Sequence, residues 1–413
     1  MKRYSFPDTK IYRILFLLFI FCMLMMSRDT MFCLHLLGFY RTQFVVVLLL
    51  AAVGLLFLWV QRKHLREIFT DGRMWIFLGA AVLMLLPMLV KRDWQMMYLS
   101  ILLNICAAIF FTYFVSLQQT ARCYLVILAV LSAFSVIATY GLRLLPDQGL
   151  LPVPEFDNGR VSFYNFFLSA VPISYVKNRN FGIFREPGVH QYFLLLGLFL
   201  NNYTARWEKP WQVWTINAIL GFTMLTTFAT GGLIEMGLLV IFLFWDKKWY
   251  RDKRARWAAY GVILALCGAV AVIVIQKSSL YYELIGIFGK FKDGDSGSSR
   301  FQSILMDLRF FLHHPIFGER LATVLHSVAD NTSSTMIQYA AFGVITGSVH
   351  VAAWGFLVWD QKRNVLGNLL LMVILFMSFN TQNFIWDLFF WLFPVMALTE
   401  RGLPLLSKIG RKK

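Results

Sequence analysis

The chain has 413 residues, of which 58% are hydrophobic and only 15% are charged, and its mean hydropathy is +0.62. This composition predicts an integral membrane protein without a soluble domain. The net charge of +17 does not require a nucleic-acid partner, because basic residues at cytoplasmic helix ends account for most of it. We therefore expect membrane lipid, and no nucleic acid, among the partners.

The apolar runs are long enough to cross about 30 Å of hydrocarbon and predict about twelve transmembrane helices. The first run lacks a small-residue cleavage site, so it is interpreted as a retained span. The five cysteines show no metal-ligand spacing and predict neither a disulfide framework nor a metal site. The predicted spans are residues 11–27, 44–60, 74–90, 96–117, 123–145, 189–203, 211–230, 232–246, 258–276, 335–359, 365–380 and 384–399.

Lysine and arginine clusters follow alternate spans, which predicts that the N-terminus and the C-terminus are both cytoplasmic. Lys91 and Arg92 are the clear exception to this pattern. The topology leaves two long periplasmic segments, residues 146–188 and 277–334, on a single transmembrane domain of residues 1–413. Segments much longer than a hairpin needs tend to carry function.

Each long segment contains an apolar stretch. In the first, Phe163 to Val176 is predicted to dip into the membrane or to lie along its surface. In the second, an amphipathic helix is predicted to begin with Ser298 or Ser299 as its N-cap and to end at His314-Pro315. The preceding Asp-Gly-Asp-Ser-Gly stretch, residues 293–297, is interpreted as a flexible turn rather than a metal-binding Asp-x-Asp.

The stretch from Arg179 to Gly188 places two arginines and a glutamate in a largely apolar sequence. Pro187 suits a first helical position, and Glu186 complements the positive helix terminus. Backbone N–H groups and the Arg185 guanidinium would then face one aqueous space, which suits a phosphate. The alternative is a salt-bridged loop that only starts a membrane helix.

Two further groups in the second segment are candidates. Arg300 and Arg309 are nine residues apart and cannot share one face of a straight helix. Arg300, at a helix start, can reach a substrate, whereas Arg309 and Arg320 can as easily pair with Asp307 and Glu319. Asp330, just before the tenth span, is either a carboxylate at the membrane surface or a helix cap.

These elements form ordered blocks between about residue 160 and residue 350. They resemble the bacterial O-antigen and exopolysaccharide polymerase superfamily, which includes the O-antigen ligases. The family patterns are Arg-x-x-Gly-x-Phe-x-Glu-Pro, Ser-x-Thr-Gly or Ser-Arg-Gly, Arg…Asn-Pro-x-x-Gly, and His/Asp-Asn…Gly. In the same order, the similar blocks of this chain are Arg179–Gly188, Thr230-Gly231-Gly232, Ser299-Arg300-Phe301 with His314–Gly318, and Asp330-Asn331-Thr332 with Gly343. The spans on either side of Thr230-Gly231-Gly232 are also interpreted as a broken or re-entrant element.

The resemblance implies an all-α, GT-C-like glycosyltransferase in the bacterial inner membrane that uses no metal and no cofactor. It implies a polysaccharide polymerase that joins undecaprenyl-diphosphate-linked oligosaccharide repeats at the periplasmic face. Both the donor and the acceptor would be lipid-linked, and the product would be O-antigen, capsule, enterobacterial polysaccharide or exopolysaccharide. A chain-length regulator is a further partner that this function allows.

The resemblance also implies roles for individual residues. Arg185 and Arg300 would bind the diphosphate, with Arg179 or Arg160 as a second clamp. A carboxylate, Asp330 or Glu186, would accept the proton of the acceptor hydroxyl. The complete set implied to bind substrate is Arg185, Arg300, Arg179, Arg160, Arg309 and His326.

Two alternatives remain open. The ligases usually carry His where Asp330 stands, which favours a polymerase and leaves His326 as the candidate substitute in a His-based mechanism. A flippase or transporter for the same lipid-linked sugars is the alternative from another class. Transporter sites tend to lie at the midplane between repeats, whereas the predicted membrane interior here holds few ionisable groups beyond Glu235 and Asp387.

Reporter fusions test this topology. Fusions after Arg66, Arg254 and Arg363 should report cytoplasm, whereas fusions near Gln148 and Gly297 should report periplasm. A cytoplasmic signal at Gly297 would remove the implied reaction, because lipid-linked donor and acceptor would then lie on the other side.

Overall fold

The computed structural model describes residues 10–27, 65–157, 161–173, 176–251, 295–328 and 331–404, with short stretches between 30 and 55 and the single residues 253 and 257. The described chain is mostly helical. Its helices are α1 Lys10–Met25, α2 Leu65–Thr70, α3 Gly72–Lys91, α4 Met96–Phe111, α5 Leu117–Ile137, α6 Leu144–Asp147, α7 Pro187–Tyr203, α8 Pro210–Thr226, α9 Thr230–Asp246, α10 Asp295–His313, α11 Leu321–His326, α12 Ser334–Val358, α13 Val365–Phe379 and α14 Leu388–Ala397.

Three helical stretches in the described residues are long and apolar enough to cross a membrane: Gly72–Lys91, Leu117–Asp147 and Ser334–Val358. The second consists of α5, a π-helical turn and α6. Every predicted span that lies within the described ranges corresponds to a helix. The span 258–276 and most of 44–60 lie outside these ranges, so twelve spans and a GT-C-like fold stay predictions.

The helices α7 and α14 form the centre of the structure. All ten residues of α14 are buried, as are most residues of α7. Tyr192 of α7 stacks on Phe384, just before α14, at 3.8 Å between ring centroids. In contrast, α3 is peripheral and exposes large apolar side chains such as Trp75 and Val82. A central helix that is apolar all round and an outer helix with exposed apolar residues fit a lipid environment.

The ends of the helices meet on two sides of the bundle. On one side Gln382 Nε2 donates to Glu186 Oε2 at 2.9 Å, and the Gly232 N–H donates to Gln191 Oε1 at 2.7 Å. There, Asn380 Oδ1 accepts from the Thr335 N–H at 3.2 Å. We name these contacts, at the starts of α7, α9 and α12 and the end of α13, the polar junction.

The opposite side is held by different polar contacts. Arg363 Nε donates to Asp246 Oδ1 at 2.8 Å, and the Leu117 N–H donates to Glu400 Oε1 at 2.8 Å. These residues belong to the helix ends that the predicted topology assigns to the cytoplasm, and the polar junction belongs to the other set. The alternation of helix ends therefore agrees with the predicted order of spans.

Thr230-Gly231-Gly232 form the start of α9, directly after the turn that joins α8 to α9. A three-residue break, with Phe228 at φ 48°, separates α8 from α9. Asn201, near the end of α7, bonds Asn217 of α8 at 2.8 Å, and Lys247, just after α9, donates to the Asn202 carbonyl at 3.4 Å. The start of α8 and the end of α9 therefore lie together, so the described residues 210–246 form a pair of antiparallel helices rather than one broken helix.

The expectation of an all-α protein was wrong in one place. A three-stranded antiparallel sheet of β1 Glu155–Asp157, β2 Ser162–Asn165 and β3 Ala170–Pro172 stands in the first long segment. Phe163 pairs with Pro172, and Phe163 packs edge-on against Phe181 at 5.1 Å. The described part of the apolar stretch from Phe163 to Val176 therefore includes β2 and β3. Its apolar side chains pack against other residues of the same segment.

The predicted helix of the second segment is present but starts earlier than expected. It begins at Asp295, so neither Ser298 nor Ser299 is its N-cap. The interpretation of residues 293–297 as a flexible turn was wrong for 295–297, which form the first helical turn of α10. The predicted end is confirmed, since α10 stops at His313.

Backbone contacts fasten the stretch after α10 to a break in α12. Gly343 has φ 80° and is not helical. The Val344 N–H bonds the Pro315 carbonyl at 2.8 Å, and the Glu319 N–H bonds the Ala340 carbonyl at 2.7 Å. Lys91, the basic residue that breaks the charge pattern, donates to the Glu319 carbonyl at 2.7 Å. Lys91 therefore lies on the side of the bundle away from the other basic clusters because it binds the chain after α10.

We expect Gly343→Ala to lose folded protein. A Cβ at Gly343 would lie 1.9 Å from the Ile316 carbonyl oxygen, and φ 80° is unfavourable for alanine. Gly79→Ala is the matched control, because a Cβ at Gly79 meets nothing within 4 Å and alanine favours the helix by about 0.5–1 kcal/mol. The expression level in the membrane and thermal unfolding in detergent are measured for both variants. Equal stability of the two would contradict the requirement for glycine at position 343.

Candidate functional site

A cavity of about 430 Å³ lies beside the polar junction, between α9, α10 and α13. We name it the Arg300 cavity. Its volume is within the range of pockets that bind small ligands. The residues that line it are Gly231, Ile234, Glu235, Arg300, Ile304, Val373, Phe376, Met377, Asn380 and Thr381.

Two ionisable side chains, Arg300 and Glu235, line this cavity. Arg300, on the second turn of α10, is half-buried, and Glu235, on the second turn of α9, is 2% exposed. The Arg300 guanidinium interacts electrostatically with the Glu235 carboxyl group, which also interacts with Ser378. Arg300 thus offers several guanidinium donors to a ligand, beside the buried carboxyl group of Glu235.

The start of α9 forms one wall of the cavity. A Cβ on Gly231 would lie 3.7 Å from Arg300 Nη1, so this backbone approaches the guanidinium closely. A Cβ on Gly232 would lie 2.5 Å from Gln191 Oε1, the atom that already accepts its N–H. The N-terminus of a helix carries a partial positive charge, and here it stands next to an arginine. Together they favour an anion.

The opposite part of the cavity is apolar and reaches the outer surface of the bundle. Ile234, Val373 and Met377 line it and are between 40% and 54% exposed. They lie on α9 and α13, below the helix ends that carry the polar groups. The cavity therefore combines a cationic end with an apolar side that opens towards the surface expected to face lipid.

Glu186 and Arg185 lie next to this site. The Gln382 side chain that donates to Glu186 belongs to the residue after Thr381, which lines the cavity. Glu186 is the N-cap of α7, and Pro187 is its first residue, as the sequence predicted. Arg185 is half-buried and directly precedes this cap. The cavity wall and the Arg-Glu-Pro-Gly turn are thus joined through Gln382.

Arg179 binds backbone carbonyls. Its Nε and Nη2 donate to the carbonyls of Thr227 and Phe228 at 3.2 and 2.8 Å. These carbonyls belong to the turn between α8 and α9, directly before Gly231. Arg179 therefore positions the helix start that lines the cavity.

The remaining predicted site residues do not line the cavity. Arg309 and His326 are exposed, on α10 and at the end of α11. Arg309 lies nine residues from Arg300 and points elsewhere, as the helical spacing predicted. Arg160 and Asp330 lie outside the described residues.

Asp307 is a buried acid on the packed side of α10. Its Oδ1 accepts from Asn331 Nδ2 at 2.8 Å, which ties α10 to the chain before α12. In the described part of the chain, its Oδ2 has no hydrogen-bond partner. Burial raises the pKa of Asp307 to about 7, and the hydrogen bond from Asn331 opposes this rise. The suggested pairing of Asp307 with the exposed Arg309 is therefore wrong.

The sequence reasoning did not assign Glu235, Gln191, Asn380 or Gln382 to the site. Glu235 carried one usable signal, because an acid inside a predicted span marks function by default. The three amides carried none, since such residues are common helix caps. Only their convergence from α7, α9 and α13 gives them a role.

Comparisons with protein-family models, with curated proteins and with solved structures gave no match for this chain.

Asp307→Asn should make stability less dependent on pH. An unfolded carboxyl with the ordinary pKa of 3.8 loses its proton between pH 4 and 7 while the folded one keeps it. The contribution of Asp307 to stability is therefore greatest below pH 4 and is lost as pH rises through about 7. Since one pKa unit corresponds to about 1.4 kcal/mol, Asp307→Asn should gain at least about 1 kcal/mol at pH 8.

Thermal unfolding in detergent at several pH values measures this effect. The exposed Glu208→Gln serves as the control and should follow the wild-type curve. An Asp307→Asn curve parallel to the wild type across this range would contradict the assignment.

Proposed function

We propose that this protein is a polysaccharide polymerase of the bacterial inner membrane. It joins undecaprenyl-diphosphate-linked oligosaccharide repeats at the periplasmic face, and both donor and acceptor are lipid-linked. The observation that carries this proposal is the Arg300 cavity, where a cationic end adjoins an apolar side that opens at the surface of the bundle. A lipid diphosphate matches this arrangement, because its anionic diphosphate suits the cationic end and its hydrocarbon chain suits the apolar side.

The cationic end supports binding of the diphosphate. Arg300 and the start of α9 at Gly231 lie on the same cavity wall. A guanidinium can bind two phosphate oxygens at once, and a helix N-terminus adds backbone donors. Arg185, which the family resemblance implicates, is placed one residue before the Glu186 cap that contacts Gln382.

The apolar side supports binding of the first isoprene units. Ile234, Val373 and Met377 provide a strip from the cavity to the outer surface between α9 and α13. A chain lying on this strip would stay in contact with hydrocarbon while its diphosphate reached Arg300. A water-soluble nucleotide sugar would make no use of such a strip.

The reaction needs proton transfer and stabilisation of a leaving anion. The acceptor hydroxyl gives its proton to a carboxylate, and its oxygen bonds the anomeric carbon of the donor sugar. The carbon–oxygen bond to the diphosphate breaks, and the lipid diphosphate leaves with the electron pair. Under this proposal Arg300 stabilises the charge, and Glu235, which lines the cavity, joins Glu186 and Asp330 as a candidate for the carboxylate.

Lipid analysis in the host tests the function. Deletion of the gene should leave single repeat units on the outer leaflet, because flipping has occurred and only joining fails. Single units trapped on the cytoplasmic leaflet would identify a flippase instead. Long polymer accumulating on the lipid carrier would identify a ligase.

Complementation of that deletion tests the cavity. Arg300→Ala should lower polymer by about 100-fold or more, the usual loss when one donor to a developing anion is removed. Arg300→Lys should restore part of it, because an ammonium cannot reproduce bidentate phosphate binding. Glu235→Gln keeps the size of the side chain but removes the carboxylate, and it should also lower polymer.

Arg320→Ala is the matched control, since Arg320 is an exposed arginine of the same long segment outside the cavity. All variants are compared at equal protein level in the membrane. Wild-type polymer from Arg300→Ala would remove the cavity from the mechanism.

A further inference from the structure

A continuous apolar stripe follows the outer face of α10. Phe301, Leu305, Leu308 and Leu312 recur at intervals of four, three and four residues, and they are between 37% and 66% exposed. This spacing places all four on one face of a helix. The stripe extends about 16 Å along the helix, at 1.5 Å per residue. Apolar residues in such a contiguous row mark an interaction surface.

The other face of α10 is already packed. Asp307 bonds Asn331 at 2.8 Å, Ser303 is fully buried, and the Phe311 ring packs edge-on against Tyr339 of α12 at 5.5 Å. The stripe therefore points away from the part of the protein that the structure describes. An apolar helix face exposed in this way needs a partner.

Both ends of α10 are attached to predicted membrane helices. Near the start, Arg300 lies on the Arg300 cavity with Gly231 at the beginning of α9 and Asn380 after α13. After the end, the Pro315 carbonyl bonds the Val344 N–H at the break inside α12, and the Glu319 carbonyl accepts from Lys91, the last residue of α3. These attachments hold α10 beside the ends of α3, α9 and α13.

The stripe adjoins the surface that is expected to face lipid. Ile304, beside the stripe on the same helix, lines the cavity together with Val373 and Met377, which are exposed on the outside of α13. The exposed cation Arg309 flanks the opposite edge of the stripe. An apolar face with a basic edge suits an anionic lipid surface.

We propose that the stripe of Phe301, Leu305, Leu308 and Leu312 rests in the outer interface of the lipid bilayer, with Arg309 at the headgroups. The bilayer thereby holds α10 and sets the height of Arg300 at the cavity mouth. The occupant is lipid rather than a second chain, because the stripe continues into the lipid-facing surface of α13.

Spin labels test this placement in the full-length protein. A nitroxide amino acid is introduced singly at Leu308 or Leu312, and as controls at Gln302 or His313, which are exposed on the same helix away from the stripe. The protein is placed in nanodiscs of phosphatidylethanolamine and phosphatidylglycerol. Since oxygen concentrates in hydrocarbon, labels at 308 and 312 should show a several-fold higher ratio of oxygen to nickel-chelate collisions than labels at 302 and 313.

Two outcomes overturn the proposal. Equal ratios at all four positions would show that the stripe lies in water. Low collision rates with both reagents at 308 and 312 would show that protein covers the stripe, in a second copy or a partner. The substitutions replace exposed side chains, and thermal unfolding of each labelled protein verifies that it is folded.

Discussion

The arrangement depends on one constraint: Gln191, Gln382 and Gly232 are buried at the polar junction, so their polar groups need hydrogen-bond partners inside the protein. An unpaired polar group away from water costs several kcal/mol. Gln382 therefore meets Glu186, and Gln191 meets the N–H of Gly232. Each bond joins segments far apart in the sequence, and together they determine where α7, α9 and α13 begin or end in space.

The Arg300 cavity is a consequence of this junction. Gln191 fixes the start of α9, and Arg179 fixes the turn before it through the Thr227 and Phe228 carbonyls. With that helix start in place, α10 brings Arg300 to Gly231 from the second long segment. The cavity thus gathers groups from three distant parts of the chain, and all of them lie at one end of an apolar strip. That division suits a substrate with an anionic head and a lipid tail.

Much of the fold follows from local patterns in the sequence. Long apolar runs predicted the spans because backbone groups in lipid must bond within their own helix. Pro187 after Glu186 predicted the start of α7, and His314-Pro315 predicted the end of α10. The three-stranded sheet was missed because Phe163 and Pro172 form strands only by pairing with each other across a turn. The Asp295 start of α10 was missed because Ser298 and Ser299 are equally good caps.

The sequence alone therefore determined the membrane class and the order of helices, since these depend on composition and spacing. Only the tertiary structure decided which polar residues meet. It brought Glu235 and Arg300 to one cavity, assigned Arg179 to a backbone turn, and left Arg309 on the outside. The physical reason is that a side chain's role depends on neighbours that arrive from other helices, and helical periodicity gives only the face on which it stands.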